Sequence, residues 1–202
     1  GRGGRGGCVR DWLDRVGVGV VRVLCSQATP AVRSRIGPGD MGPLLGRDAR
    51  DVGCPGLPVR AVSTGMAWTM VHVKDHDALR RVVLSADAKE RLTKLAGNQM
   101  VYPFTFPGYE KDAFSAARGL LAGEFEDPVT GSASGCLGAY LAKHGVVKPD
   151  PDGVARYTHT QGHGMGRPGR VSLDVTMHGT EPVDVRIGGR CVRVMAGERT
   201  LP

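Results

Sequence analysis

One stretch constrains the fold of this 202-residue chain more than any other. It is EDPVTGSASG at residues 126–135, running into the apolar CLGAYL of residues 136–141. The first part reads as a loop of two acids, a proline, small hydroxylated residues and glycines. The second reads as a helix over residues 134–144, with Leu137, Ala139, Tyr140 and Leu141 as its apolar face and Gly145 placed to end it. A Thr-Gly-Ser turn entering a helix presents unpaired backbone N–H groups to whatever stands in front of it. Asp127 lies a few residues ahead of that terminus. Two readings fit. One is a small-anion site with an acid/base group beside it. The other is an ordinary capped core helix, with Ser132 or Thr130 as N-cap and Asp127 complementing the helix dipole.

The rest of the chain favours short elements. Its 31 glycines and 13 prolines, with only 5% aromatic residues, point to many turns and short strands. Residues 1–7, GRGGRGG, are low in complexity and cannot pack a core. Residues 8–15 allow one or two helical turns. The valine-rich residues 16–24 read as a strand, and residues 31–56 as loop holding one short helix. Strands follow at 57–63 and 67–73. Then come a helix at 75–82 capped by Asp75 and a helix at 85–96 capped by Ser85 and stopped by Gly97. Residues 100–106 read as a strand that Pro103 confines to a sheet edge. After the central helix all is strand and turn, at 157–161, 170–177, 183–187 and 191–195, with Gly188-Gly189 separating the last two. The order implies an α+β fold, mostly antiparallel, with a curled sheet around the central helix.

Several function classes are disfavoured. No run is long and apolar enough to span a membrane, and nothing resembles a signal peptide. The five cysteines are scattered, without a CxxC pair or a His/Cys cluster at metal spacing, so neither a disulfide framework nor a metal site is indicated. A reducing cytoplasm is the simplest placement. The net charge of +7 raises the question of nucleic acid, but the basic residues fall in the Arg/Gly start or as single arginines between apolar residues, which argues against such a partner. No nucleotide fingerprint is present, and residues 131–135, GSASG, carry alanine where a serine-hydrolase elbow needs serine.

The string EDPVTGSA, followed by LGAYLAKHG, resembles the signature of the phenazine-biosynthesis PhzF-like proteins, which share the fold of diaminopimelate epimerase and proline racemase. PVRAVSTG at 58–65 with AWTMVHV is similar to the opening of that family's second lobe. Gln161-Gly162 with MGRPG at 165–169 resembles its QG…MGRP turn, VDVRIGGRCVRVMAG at 183–197 its closing hairpin, and CSQATP at 25–30 the end of its first lobe. The resemblance implies two lobes, each a sheet around a central helix, with the active site between them. It implies an isomerase or epimerase that needs no metal or cofactor and moves a proton beside the carboxylate of a small substrate. It further implies Asp127 as catalytic acid/base, substrate binding by Thr130, Gly131, Ser132 and Ala133, and a homodimer. Thr130 stands where epimerase and racemase relatives carry a catalytic cysteine, and Cys136 reads as core.

Two features depart from the family pattern. The Gly-His-Pro turn that accompanies the first-lobe glutamate is absent, and residues 112–123 lack the usual Arg-x-Phe-x-Pro, with Ala116, Arg118 and Leu120 in its place. The expected organisation is therefore an irregular start (1–15), a remnant of a first lobe with linker (16–56) and a second epimerase-like lobe (57–202). A chain so truncated would be impaired in catalysis. The alternative is a non-catalytic fragment or small-anion-binding domain that keeps the second lobe's fold.

Overall fold

A computed structural model describes residues 11–16, 20–121 and 125–192. Its elements in chain order are β1 (Asp11–Val16), β2 (Val20–Ser26), β3 (Ala31–Ile36), α1 (Pro38–Leu44), β4 (Val59–Ser63), β5 (Ala67–His72), α2 (His76–Arg80), α3 (Ala88–Ala96), β6 (Met100–Thr105), β7 (Ser115–Ala117), β8 (Gly119–Leu121), β9 (Phe125–Asp127), α4 (Gly131–Lys143), β10 (Val154–Gln161), β11 (Gly169–His178) and β12 (Glu181–Val192). One turn of 3-10 helix at Ala49–Asp51 and another at His163–Met165 complete the described chain. The strands join one sheet in the order β1-β2-β12-β11-β10-β7-β6-β5-β4-β3, with β8 beside β6 and β9 beside β8. Pairing is antiparallel except for β5 with β6 and β7 with β10. This is the α+β class expected.

The sheet has a core on each face. Val59, Ala61, Val71, Val73 and Val101 pack with α1, α2 and α3. Val62, Trp68, Met70, Tyr102 and Phe104 point the other way, onto α4, which also packs against β11 and β12. Residues 133–142 of α4 are buried without exception. A helix apolar all round has to be enclosed, and the curled sheet encloses it. Burying each Leu-sized side chain stabilises by roughly 1.5–3 kcal/mol, which Leu137 and Leu141 realise in full at 0% exposure.

Four expectations are corrected. Residues 11–16 are strand, not helix, paired antiparallel with β2 from Asp11 opposite Cys25 to Val16 opposite Val20; residues 8–10 lie outside the described set. Residues 31–36 were expected to be loop but form β3 on β4. Residues 100–105 form an interior strand rather than an edge. The antiparallel partner of β6 is interrupted between β7 and β8, so Pro103 needs no N–H there, while its carbonyl accepts from Arg118 N–H at 3.0 Å. Finally, Gly188-Gly189 does not divide two strands. β12 runs through both, and a Cβ on Gly188 would lie 2.2 Å from the Val23 carbonyl oxygen, so glycine serves close strand pairing there. Residues 193–195 lie outside the described set. Smaller adjustments concern α3, which starts at Ala88 with Asp87 as N-cap, and α4, which starts at Gly131.

Candidate active site

β9 ends at Asp127, Pro128 and Val129 turn the chain, and α4 begins at Gly131. Thr130 is the N-cap residue, in extended conformation, yet its side chain makes no capping hydrogen bond. Its hydroxyl instead donates to Asp127 Oδ2 at 2.8 Å. The first amides of α4 are therefore left without a side-chain cap.

The candidate residues differ in what they expose. Asp127, Gly131 and Ser132 are partly exposed, Thr130 is buried and Ala133 is fully enclosed in the core. Ser132 Oγ accepts the Trp68 indole N–H at 3.0 Å, so its acceptor side is engaged while its own proton has no acceptor among the described residues. Cys136, one turn into α4, has its thiol pushed up to about 11 by burial and donates to the Val62 carbonyl at 3.2 Å, which leaves it a core thiol with no nucleophilic character.

Behind Asp127 lies a buried polar group that sequence reading did not find. Gln161, at the end of β10, has 0% exposure. Its Oε1 accepts from Thr130 N at 3.0 Å and from Tyr102 O–H at 2.6 Å. Its Nε2 donates to the Asp127 carbonyl at 2.6 Å and to Thr130 Oγ1 at 2.9 Å. The phenol of Tyr102, raised well above its ordinary pKa by burial, lies 2.7 Å from Nε2 of His159. Burial holds His159 down at about 3, so this imidazole is neutral at any physiological pH. Gly119 leaves room for the group, since a Cβ there would come within 2.6 Å of Thr130 Oγ1. The QG pair was visible in the sequence as a motif; its polar valences were not.

On the other side of β9, Glu126 meets Arg118, with the shortest contact 2.7 Å. Nη1 of Arg118 also donates to the carbonyls of Leu79, Arg80 and Val82, which ties the end of α2 to β9. Ala116 and Leu120, the other two positions where the family pattern is broken, are buried in the α1–α3 core. A cavity of about 620 Å³ on this side is lined by residues 82–86, Arg118, Leu120 and Phe125 among others; Asp127 does not line it. Further along, Tyr109 is stacked between His76 and His163, with ring centroids 4.4 and 4.5 Å apart. Among the described residues no group of three His, Cys, Asp or Glu side chains is placed to hold a metal ion, and no helix is long and apolar enough to cross a membrane.

A family model for phenazine biosynthesis-like proteins (PhzC-PhzF) matches residues 15–197. The chain is 34% identical over 148 residues to the uncharacterized isomerase YddE of Escherichia coli K12, and 32% identical over 145 residues to an uncharacterized isomerase of Clostridium acetobutylicum. Each match takes in 71% of this chain and 48% of the relative, so the chain spans about half the length of these relatives. Among solved structures, a PhzF-family phenazine biosynthesis protein of Bacillus anthracis superposes with a TM-score of 0.77 at 26% identity, over 90% of this chain and 62% of that one. A predicted epimerase from Pseudomonas aeruginosa gives 0.64 at 26% identity, over 95% and 70%. The fold is shared with PhzF-family and epimerase-named proteins, and the curated relatives carry the name isomerase. The chain belongs to the phenazine biosynthesis-like family.

Proposed function

We propose that this chain carries one half of the reaction site of an isomerase or epimerase that moves a proton at the carbon beside a carboxylate of a small substrate, with no metal or cofactor. The observation that carries the reading is the turned-away cap: Thr130 gives its proton to Asp127 at 2.8 Å and leaves the α4 terminus open beside a carboxylate. In this reading the substrate carboxylate lies against the amides of Gly131 and Ser132 and accepts a hydrogen bond from the Ser132 hydroxyl. Asp127 then accepts or returns the proton on the neighbouring carbon. The charge that develops on the substrate oxygens is enolate-like, and fixed N–H groups at a helix start stabilise it more than they stabilise the ground state. The other group of the pair corresponds to the first-lobe glutamate implied by the resemblance, for which this sequence offers no matching motif. A homodimer remains part of the proposal. The pairing of Arg156 with Asp150 and Asp152, and of Arg170 with Glu110 and Asp112, favours a small-molecule partner over nucleic acid.

The experiment is incubation of the chain with a panel of amino and hydroxy acids in D2O, following loss of the α-proton signal by NMR. Exchange that disappears in Asp127→Asn supports the isomerase reading. No exchange in a folded chain that still binds small carboxylates would support the alternative, an anion-binding domain.

A further inference from the structure

The buried group behind Asp127 has a direction, and it can be read from valence alone. The Thr130 amide needs an acceptor and the Asp127 carbonyl needs a donor, so Gln161 must present Oε1 to the first and Nε2 to the second. The second Nε2 proton then goes to Thr130 Oγ1. With that oxygen accepting from Gln161, the single hydroxyl proton of Thr130 points to Asp127 Oδ2. Upstream, the single proton of Tyr102 goes to Gln161 Oε1. The hydrogen between His159 Nε2 and Tyr102, 2.7 Å apart, therefore belongs to the imidazole, which makes His159 the neutral Nε2–H tautomer. Its Nδ1 is left as an acceptor 3.4 Å from Ser115 Oγ.

The geometry points to Gln161, Tyr102 and His159 as positioning residues: their one-way chain of hydrogen bonds, His159 to Tyr102 to Gln161 to Thr130 to Asp127, clamps the carboxylate by Oδ2 and leaves Oδ1 to exchange a proton with the substrate carbon. This rests on the reading of Asp127 as the acid/base group. Upstream of Asp127 no member of the chain changes protonation during turnover. Its work is to fix the direction in which Oδ1 faces, and it commits the Thr130 proton to Asp127 rather than to substrate. Tyr102, His159 and Gln161 are all at 0% exposure, and Gly119 keeps the space over Thr130 and Gln161 free of a side chain. Satisfied buried networks of this kind hold one geometry because any rotation leaves a buried donor or acceptor unpaired.

The test has an arm that needs no turnover. In protein labelled with 15N-histidine, His159 should show the Nε2–H tautomer signature, unchanged between pH 8 and pH 5. In Tyr102→Phe, which keeps the ring, that tautomer preference should be lost. The Thr130 hydroxyl proton should be visible and slow to exchange in the wild type, and absent in Gln161→Glu, where a carboxylate replaces the amide donor. In the D2O exchange assay Thr130→Val should lower kcat by about 10²-fold with KM unmoved, and Thr130→Ser should restore it. An Nδ1–H or protonated His159 in the wild type overturns the chain of donors, as does wild-type kcat in Thr130→Val. If the wild type exchanges no α-proton, the acid/base reading fails by that result, and the NMR arm alone decides the direction of the chain.

Discussion

α2 and α4 both start after a residue of a type that favours the N-cap, Asp75 and Thr130, and the two do opposite things. At α2 the residue before the helix, Asp75, turns its carboxylate onto the first turn and accepts from Ala78 N at 2.7 Å. At α4 the corresponding Thr130 turns its hydroxyl away, onto Asp127, and the first amides receive no side chain. The first arrangement closes a helix of only five residues, anchored by buried Ala78 and Leu79 and by Arg118 on its last carbonyls. The second is tolerable because α4 is enclosed by the sheet from residue 133 onward and does not depend on its cap. Burial of the helix body thus frees its terminus for other work. α3 also lacks a side-chain cap, but its N-cap Asp87 is engaged by Ser85 and Arg91 at the surface, with no acid beside the terminus comparable to Asp127.

That contrast can be broken by experiment. The largest effect expected is on catalysis: Asp127→Asn should lower α-proton exchange by about 10²–10⁴-fold with no change in Tm, whereas Asp75→Asn should leave exchange intact. Equal losses from both would remove the distinction. Next, Leu137→Ala in the body of α4 should cost about 2–5 kcal/mol in urea unfolding, since the packed site cannot fully collapse. A loss under 1 kcal/mol would mean that the helix body does not anchor the terminus.

Acid should destabilise the same core. The folded pKa of His159 is depressed to about 3 from its ordinary 6.5. Between these values the unfolded chain binds the proton and the folded one does not. The stability from keeping the ring neutral is therefore complete above about pH 6.5 and is lost progressively as pH falls towards 3. The slope approaches about 1.4 kcal/mol per pH unit for this one group. Unfolding free energies measured from pH 7 to pH 4 should fall accordingly, and His159→Asn should flatten the dependence. The smallest effect is at the caps themselves. Asp75→Ala should cost about 1 kcal/mol of stability through the lost cap, and Thr130→Ser less than that, because it removes no cap and keeps the hydroxyl that Gln161 and Asp127 hold. The reverse order in thermal melts would contradict the comparison.

Much of the fold was legible because its signals are local. The Asp75 cap, the stop at Gly97 with φ of 68°, the turn at Gly145 and the alternation of β4 and β5 all announce themselves within a few residues. The misreadings came from partners distant in sequence. Pro103 looks like an edge marker until the break between β7 and β8 stands opposite it, and Gly188-Gly189 looks like a turn until β2 lies alongside. The candidate site divides in the same way. Asp127 and the open terminus lie in one contiguous string. Tyr102 and Gln161 are 59 residues apart, each looks like an ordinary strand residue, and only the parallel pairing of β10 with β7 and the antiparallel pairing of β7 with β6 bring them together. Gly162, at φ of 84°, gives the QG motif its physical reason: a Cβ there would lie 2.1 Å from the Arg167 carbonyl oxygen, a local contact, and 2.6 Å from that of Pro128, a contact that exists only when the turn after β9 is in place.

The central claim is that the start of α4 is an open anion cradle while the start of α2 is closed. It is tested most directly by titrating the 15N-labelled chain with sodium lactate, a small hydroxy acid, and following backbone amide shifts. The account predicts saturable shifts at Gly131 and Ser132, weakened in Ser132→Ala, with the amides of residues 76–78 unmoved. Shifts of equal size at both helix starts, or none at Gly131 and Ser132 in the folded chain, would contradict it.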